Sequence, residues 1–143
     1  MKKLLFLMTF LLVSTSIFAI EVENEKLYEY DISNCSVKSI KLAKMWLSEN
    51  SDNYGFNNYS NDKQMYDEDL NIMIIQGNAQ VFVMPLYFTL KIQVKGDILK
   101  ITFNNFSAGT SKMKINSRTT GLSTLYETCD EIAESVSKYY LEY

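Results

Sequence analysis

Asp67, Glu68, Asp69 and Asn71 put oxygen-bearing side chains at the spacing with which a calcium-binding loop begins. Such a loop needs glycine at its sixth position and a bidentate glutamate at its twelfth. Ile72 and Asn78 stand there instead, so a solvated hairpin turn is the better reading. Paired acids also cleave glycosides, but across a cleft of about 5–9.5 Å, which neighbours on one turn do not span. A second acid from elsewhere in the chain stays open. Two further clusters suit recognition rather than catalysis. Tyr54, Phe56 and Tyr59 alternate with Asn53, Asn57 and Asn58, and aromatics beside amides can stack on and hydrogen-bond a flat polar ligand such as a sugar or peptide. The simpler alternative is that two of the three rings fold back over the sheet edge. Tyr87, Thr89, Lys91, Gln93, Lys100, Thr102 and Asn104 fall on the polar side of two strands, where a partner could dock unless the face is simply solvated.

The chain contains no histidine. Ser-His-Asp and Cys-His nucleophile pairs and the common His-containing zinc sites are therefore excluded. An enzyme here would have to work with carboxylates, lysine or tyrosine. No residue set that would hold a cofactor is found, and none is expected. Cys35 and Cys129 lie far apart in sequence. If bonded, they close a loop contributing about 4–5 kcal/mol in the chain-entropy picture; if not, they pack as small buried hydrophobes. Both outcomes remain open at this stage, since the Cα separation decides between them.

The elements that must position these residues follow from periodicity. Tyr28, Tyr30 and Ile32 alternate with Glu29 and Asp31, which marks a half-buried strand over 26–33. Ser33 and Asn34 offer N-cap oxygens for a helix over 37–47, where Val37, Ile40, Ala43, Met45, Trp46 and Leu47 recur at a helical period and Lys38, Lys41 and Lys44 line the opposite side. Residues 48–62, rich in Asn, Ser and Asp, read as a loop. Segments 63–66 and 71–77 flank the acidic turn as a hairpin. From 83 to 95, Met84, Leu86, Phe88, Leu90, Ile92 and Val94 share one face, and Gly96-Asp97 turns the chain into a strand with Leu99, Ile101 and Phe103 inward. A polar loop over 107–120 leads to a final helix over 122–140. Its apolar stripe is Leu122, Leu125, Cys129, Ile132, Ala133, Val136 and Tyr140, and Glu127, Asp130, Glu131 and Glu134 point away. If the helices lie side by side, the lysine ridge of the first would face the acidic ridge of the second. The order β-α-β-β-β-β-α predicts a two-layer α+β domain, a curved antiparallel sheet with both helices on one face.

The N-terminus reads as an export signal. Lys2 and Lys3 precede an apolar run from Leu4 to Val13, polar residues follow, and Ala19 supplies a small residue for cleavage. The run is too short to span a bilayer. The expectation is a signal peptide over 1–19 and one domain over 20–143, working in the periplasm or outside the cell, with no membrane-spanning part after cleavage. The mature chain then carries 17 acidic residues against 12 basic ones. That balance, with Arg118 as the sole arginine, argues against nucleic acid as a partner.

Several segments carry a resemblance. They are Lys44-Met45-Trp46-Leu47, Tyr66-Asp67-Glu68-Asp69 leading to Ile74-Ile75-Gln76-Gly77, Tyr87 to Ile92 with Val94-Lys95, and Ile101 to Phe106. With the element order, which is that of one repeat of the TATA-box-binding-protein fold, they make the chain resemble an uncharacterised bacterial family of exported domains with a TBP-like fold. That resemblance implies the fold and agrees with export; it brings no activity and no catalytic residues. Fold analogy with a DNA-binding protein does not extend to function.

Together these features point to a non-enzymatic binding domain of the bacterial envelope or extracellular space, taking a protein, peptide or glycan. The alternatives are a carboxylate- or tyrosine-based enzyme acting on glycans and a structural subunit of an envelope assembly.

Overall fold

The computed structural model describes residues 22–56, 64–79, 81 and 84–143. The strands are β1 (Lys26–Asp31), β2 (Met65–Asp67), β3 (Ile72–Ala79), β4 (Leu86–Lys95), β5 (Ile98–Ala108) and β6 (Met113–Lys114), and the helices are α1 (Ile40–Glu49) and α2 (Leu122–Leu141). The sheet is antiparallel throughout, in the order β1-β5-β4-β3-β2, with β6 added to β5. The architecture is thus α+β, an open antiparallel sheet with two helices.

Alternation along the strands builds the core. Leu86, Phe88, Leu90, Ile92 and Val94 of β4 are buried, as are Leu99, Ile101 and Phe103 of β5 and Met73 and Ile75 of β3. The stripe of α2 from Leu122 to Tyr140 seals them, together with Ile40, Ala43 and Trp46 of α1. Phe88 meets Phe103 edge-on at 5.4 Å between ring centres, and Phe56 bridges Phe88 to Trp46. Three hydroxyl or indole groups tie the helices to each other and to their caps. The indole Nε1 of Trp46 donates to Ser135 Oγ at 2.9 Å, Tyr139 donates to Glu49 at 2.7 Å, and buried Tyr140 donates to the Ser39 carbonyl at 2.8 Å.

Several expectations need correction. Helix α1 starts at Ile40 under a Ser39 cap, whose Oγ accepts from the Lys41 amide. The carboxylate of Asp31 captures the Ser33 amide at 2.8 Å, which holds residues 33–34 in a turn, and the chain runs on irregularly to the Ser39 cap. Asn71, at φ 51°, closes the hairpin between β2 and β3 and accepts from the Ile40 amide, adding a second cap from across the fold. The polar loop contains the short strand β6, so five strands rather than four separate the helices. The lysine ridge of α1 does not meet the acidic ridge of α2. Lys38 pairs with Asp97 at 2.6 Å and Lys41 with Glu68 at 3.4 Å, while Lys44 lies over the ring of Tyr66. On α2, Asp130 instead takes Lys26 of β1 at 3.1 Å and the hydroxyl of Tyr28. The lysine ridge is thus spent on the two hairpin turns and on Tyr66 of β2.

One irregularity in β5 matters for the site. Tyr87 faces Ser107 and Thr89 faces Asn104, so β5 carries one more residue than β4 over this stretch. Asn105 takes the extra position at φ 52°, a left-handed conformation that Asn tolerates. The bulge reverses the alternation, which keeps Phe106 and Ala108 buried on the inner side.

Candidate functional site

The sheet side opposite the helices carries the candidate site. Across β5 and β4, Lys100 stands opposite Gln93, Thr102 opposite Lys91, and Asn104 opposite Thr89; beyond the bulge Ser107 stands opposite Tyr87. All seven predicted face residues, Tyr87, Thr89, Lys91, Gln93, Lys100, Thr102 and Asn104, are therefore brought together on two neighbouring strands. Six of them are half-buried, and Thr102, which stands opposite Leu27 of β1 and Lys91 of β4, is buried. Long lysine stems lying over a pleated surface account for this depth. A depression of ≈ 220 Å³ is lined by Lys91, Gln93, Lys100, Thr102 and Asn104, with Glu25 as its wall.

A second depression, ≈ 380 Å³, lies further along β5. It is a notch in the edge of β5, where pairing to β1 ends at Phe103 and pairing to β6 begins at Ser107. Asn24, Asn105, Ser107, Lys112 and Lys114 line it, over an apolar floor of Phe106 and Ile115. The Lys112 ammonium sits 5.4 Å from the centre of the Tyr87 ring, and the Asn105 amide donates to Thr89 Oγ1 at 3.5 Å. Asn104 lines the first depression and its neighbour Asn105 the second, so the two follow one another as a polar track along β5.

The sequence contained a signal for this track that residue-by-residue patterning misses. From Leu70 to Tyr126 there are six Lys or Arg residues and a single acid, Asp97. That acid is occupied by Lys38. The rest of the chain holds the other sixteen acids. An acidic protein therefore carries a basic centre on β4, β5 and β6. Carboxylates on β1 (Glu29, Asp31) and β2 (Asp67) form the rims.

The aromatic loop divides differently. Phe56 is 2 % exposed and belongs to the core, so it is not available to a ligand. Tyr54 is half-buried on the helix side, with its phenol pKa raised by burial and then by Glu131. It lines a groove of ≈ 460 Å³ with Asp52, Asn53, Thr128 and Glu131. Tyr59 lies outside the described residues, as do the export signal over 1–19 and the first residue of the expected 83–95 strand. The acidic hairpin turn is engaged internally. Asp67 accepts from the Leu70 amide at 2.9 Å, and Glu68 takes Lys41 and the Tyr66 hydroxyl.

Both cysteines are free thiols buried in the structure, the second of the two outcomes weighed above. Burial pushes the Cys129 thiol up to about 12, so it holds its proton at neutral pH and packs as a hydrophobe. Among the described residues no helix is long and apolar enough to cross a membrane.

A solved structure has this fold. It is a DUF4468 family protein from Bacteroides ovatus ATCC 8483, which aligns at a TM-score of 0.54 over 86% of this chain and 90% of that one. The chain has the fold of a bacterial domain of unknown function. At 12% identity the likeness concerns the fold alone. No family model matches the chain, and no curated protein does.

Proposed function

We propose that this protein is an exported binding domain whose ligand surface is the open side of the sheet, working in the periplasm or outside the cell. The observation that carries this reading is the polar track on β4 and β5. It collects seven side chains able to hydrogen-bond a partner, on strands whose other side is sealed by helices. A rigid sheet presenting side chains on one face is suited to recognition, because the scaffold fixes the donors before a ligand arrives. The element order, β-α-β-β-β-β-α apart from the two-residue β6, supports assignment to the TBP-like class. The charged start and apolar run before Ala19 support export.

Site-specific photo-cross-linking in the native envelope tests the reading. A photoreactive residue at Gln93, on the track, should yield a defined adduct that one at Lys44, on the helix side, does not. Adducts from Lys44 alone would reject it. N-terminal sequencing of the recovered protein should begin at Ile20; a start at Met1 would reject cleavage after Ala19.

An enzyme acting on glycans is the second reading, favoured by the meeting of Asp52, Glu131 and Tyr54 in one groove. Two acids flanking a cleft are the minimum for glycoside hydrolysis. Turnover of a chromogenic glycoside, lost in Glu131→Gln, would establish it.

A further inference from the structure

We infer that the track takes an acidic polysaccharide, a chain of uronic-acid type sugars laid along β5. This rests on the binding reading above and names its ligand. Charge supplies the first argument. Lys91 and Lys100 stand on diagonal positions of β4 and β5, and Lys114 and Lys112 follow at the notch. Neither β4, β5 nor β6 contains a carboxylate. Lys91 and Lys100 make no ion pair among the described residues. Glu29 faces Lys100 in the register of β1 and β5, and Glu25 lines the same depression, but neither closes to an ion pair. Both ammonium groups are left open to an external anion, whose attraction weakens with salt. The carboxylates of Glu25, Glu29 and Asp31 stand along the β1 side of the track, so an anionic chain is confined to its centre.

The chemistry between the lysines supplies the second argument. Gln93, Asn104 and Asn105 offer amides, and Thr89, Thr102 and Ser107 offer hydroxyls. Such groups both donate and accept, as sugar hydroxyls require. Half-buried Tyr87 adds a ring at the end of the row, with an ammonium already over it. The backbone supplies the third. β4 and most of β5 are paired on both edges, so an acidic peptide cannot add as a strand there and would lose the main-chain hydrogen bonds on which that mode depends. A ligand gripped by side chains alone suits the site better.

The probe is a labelled oligogalacturonate, titrated against the mature protein by fluorescence polarisation, beside neutral dextran, poly-glutamate and oligothymidylate of similar length. Oligogalacturonate should bind, weakening as salt rises, and the other three should not. The double variant Lys91→Gln with Lys100→Gln should weaken it by about tenfold or more, as loss of charged hydrogen bonds implies. Lys41→Gln with Lys44→Gln, on the helix side, should change it less than twofold. Circular dichroism and a thermal midpoint for each variant show that the fold is kept. Tighter binding of poly-glutamate or oligothymidylate, equal binding of dextran, no binding of oligogalacturonate, or indifference of a folded Lys91/Lys100 variant each overturns the inference. A neutral glycan or peptide cross-linked from Gln93 would overturn the ligand assignment and leave the binding surface standing. Absence of any adduct from Gln93 would remove both.

Discussion

The two faces of the sheet are made by the same strands, yet they solve different problems. On β4 the odd and even positions part company: Phe88 and Leu90 are sealed under the helices, while Thr89 and Lys91 point the other way. The inner face satisfies apolar surface by packing, and Phe88 there meets the rings of both Phe56 and Phe103. The outer face carries polar side chains around a buried threonine, some engaged with each other, as Asn105 is with Thr89. Stability resides in one and recognition in the other, so substitutions one residue apart should differ by whole orders in their effect.

Phe88→Ala gives the largest separation. It should cost about 3–5 kcal/mol in denaturant unfolding, from lost burial and the cavity left behind. Thr89→Ala should stay within about 0.5 kcal/mol. Equal losses would mean that the outer face is packed too. Gly77→Ala comes next, at about 1–3 kcal/mol for overpacking. Its new Cβ would stand 2.7 Å from the Phe88 ring and 2.8 Å from Phe56, both core side chains with no room to retreat. Tyr140→Phe should cost about 1 kcal/mol by removing the buried hydrogen bond to Ser39.

Alkaline pH sharpens the contrast further. The Cys129 thiol is raised from 9.0 to about 12 by burial, and burial also leads the upward shifts of Tyr28 and Tyr140. Each proton is held more tightly in the folded protein. The stabilisation is complete below the unfolded pKa values and is lost as pH climbs above about 9. Unfolding midpoints should thus be level near neutrality and fall beyond that point, and Cys129→Ala should flatten part of the fall. The smallest stability effect belongs to Lys91→Gln with Lys100→Gln, within about 0.5 kcal/mol, even though the same pair should abolish most ligand binding.

Much of this plan was legible in the sequence. The inner stripe of β4 and the stripe of α2 are periodic over enough residues to name their faces, and the outer set from Tyr87 to Asn104 followed from the same alternation. What escaped depended on competition between local hydrogen bonds. Nothing in the periodicity says that Asp31 will hold the Ser33 amide and so delay α1 to Ser39. The bulge at Asn105 changes phase by one residue, which a period-two pattern cannot carry across. Phe56 sits in a polar, Asn-rich stretch, and only its contacts with Trp46 and Phe88 reveal it as core. The basic centre was present in the charges all along, spread over fifty-seven residues from Leu70 to Tyr126, and only the register gathers most of it onto adjacent strands.

Strand β1 borders the sheet with one hydrogen-bonded neighbour, and its residue order decides what a second copy meets there. Two such edges joined head to tail with their faces matched can centre on Tyr28, which sets Leu27 against Glu29, or on Glu29, which sets two carboxylates against each other. On the outer face, where Leu27, Glu29 and Asp31 lie, neither of these two registers offers a favourable cross-strand pair. In those registers the outer carboxylates of the border act as a fence against self-assembly, and a neighbour that brings a positive charge there would meet a matching partner.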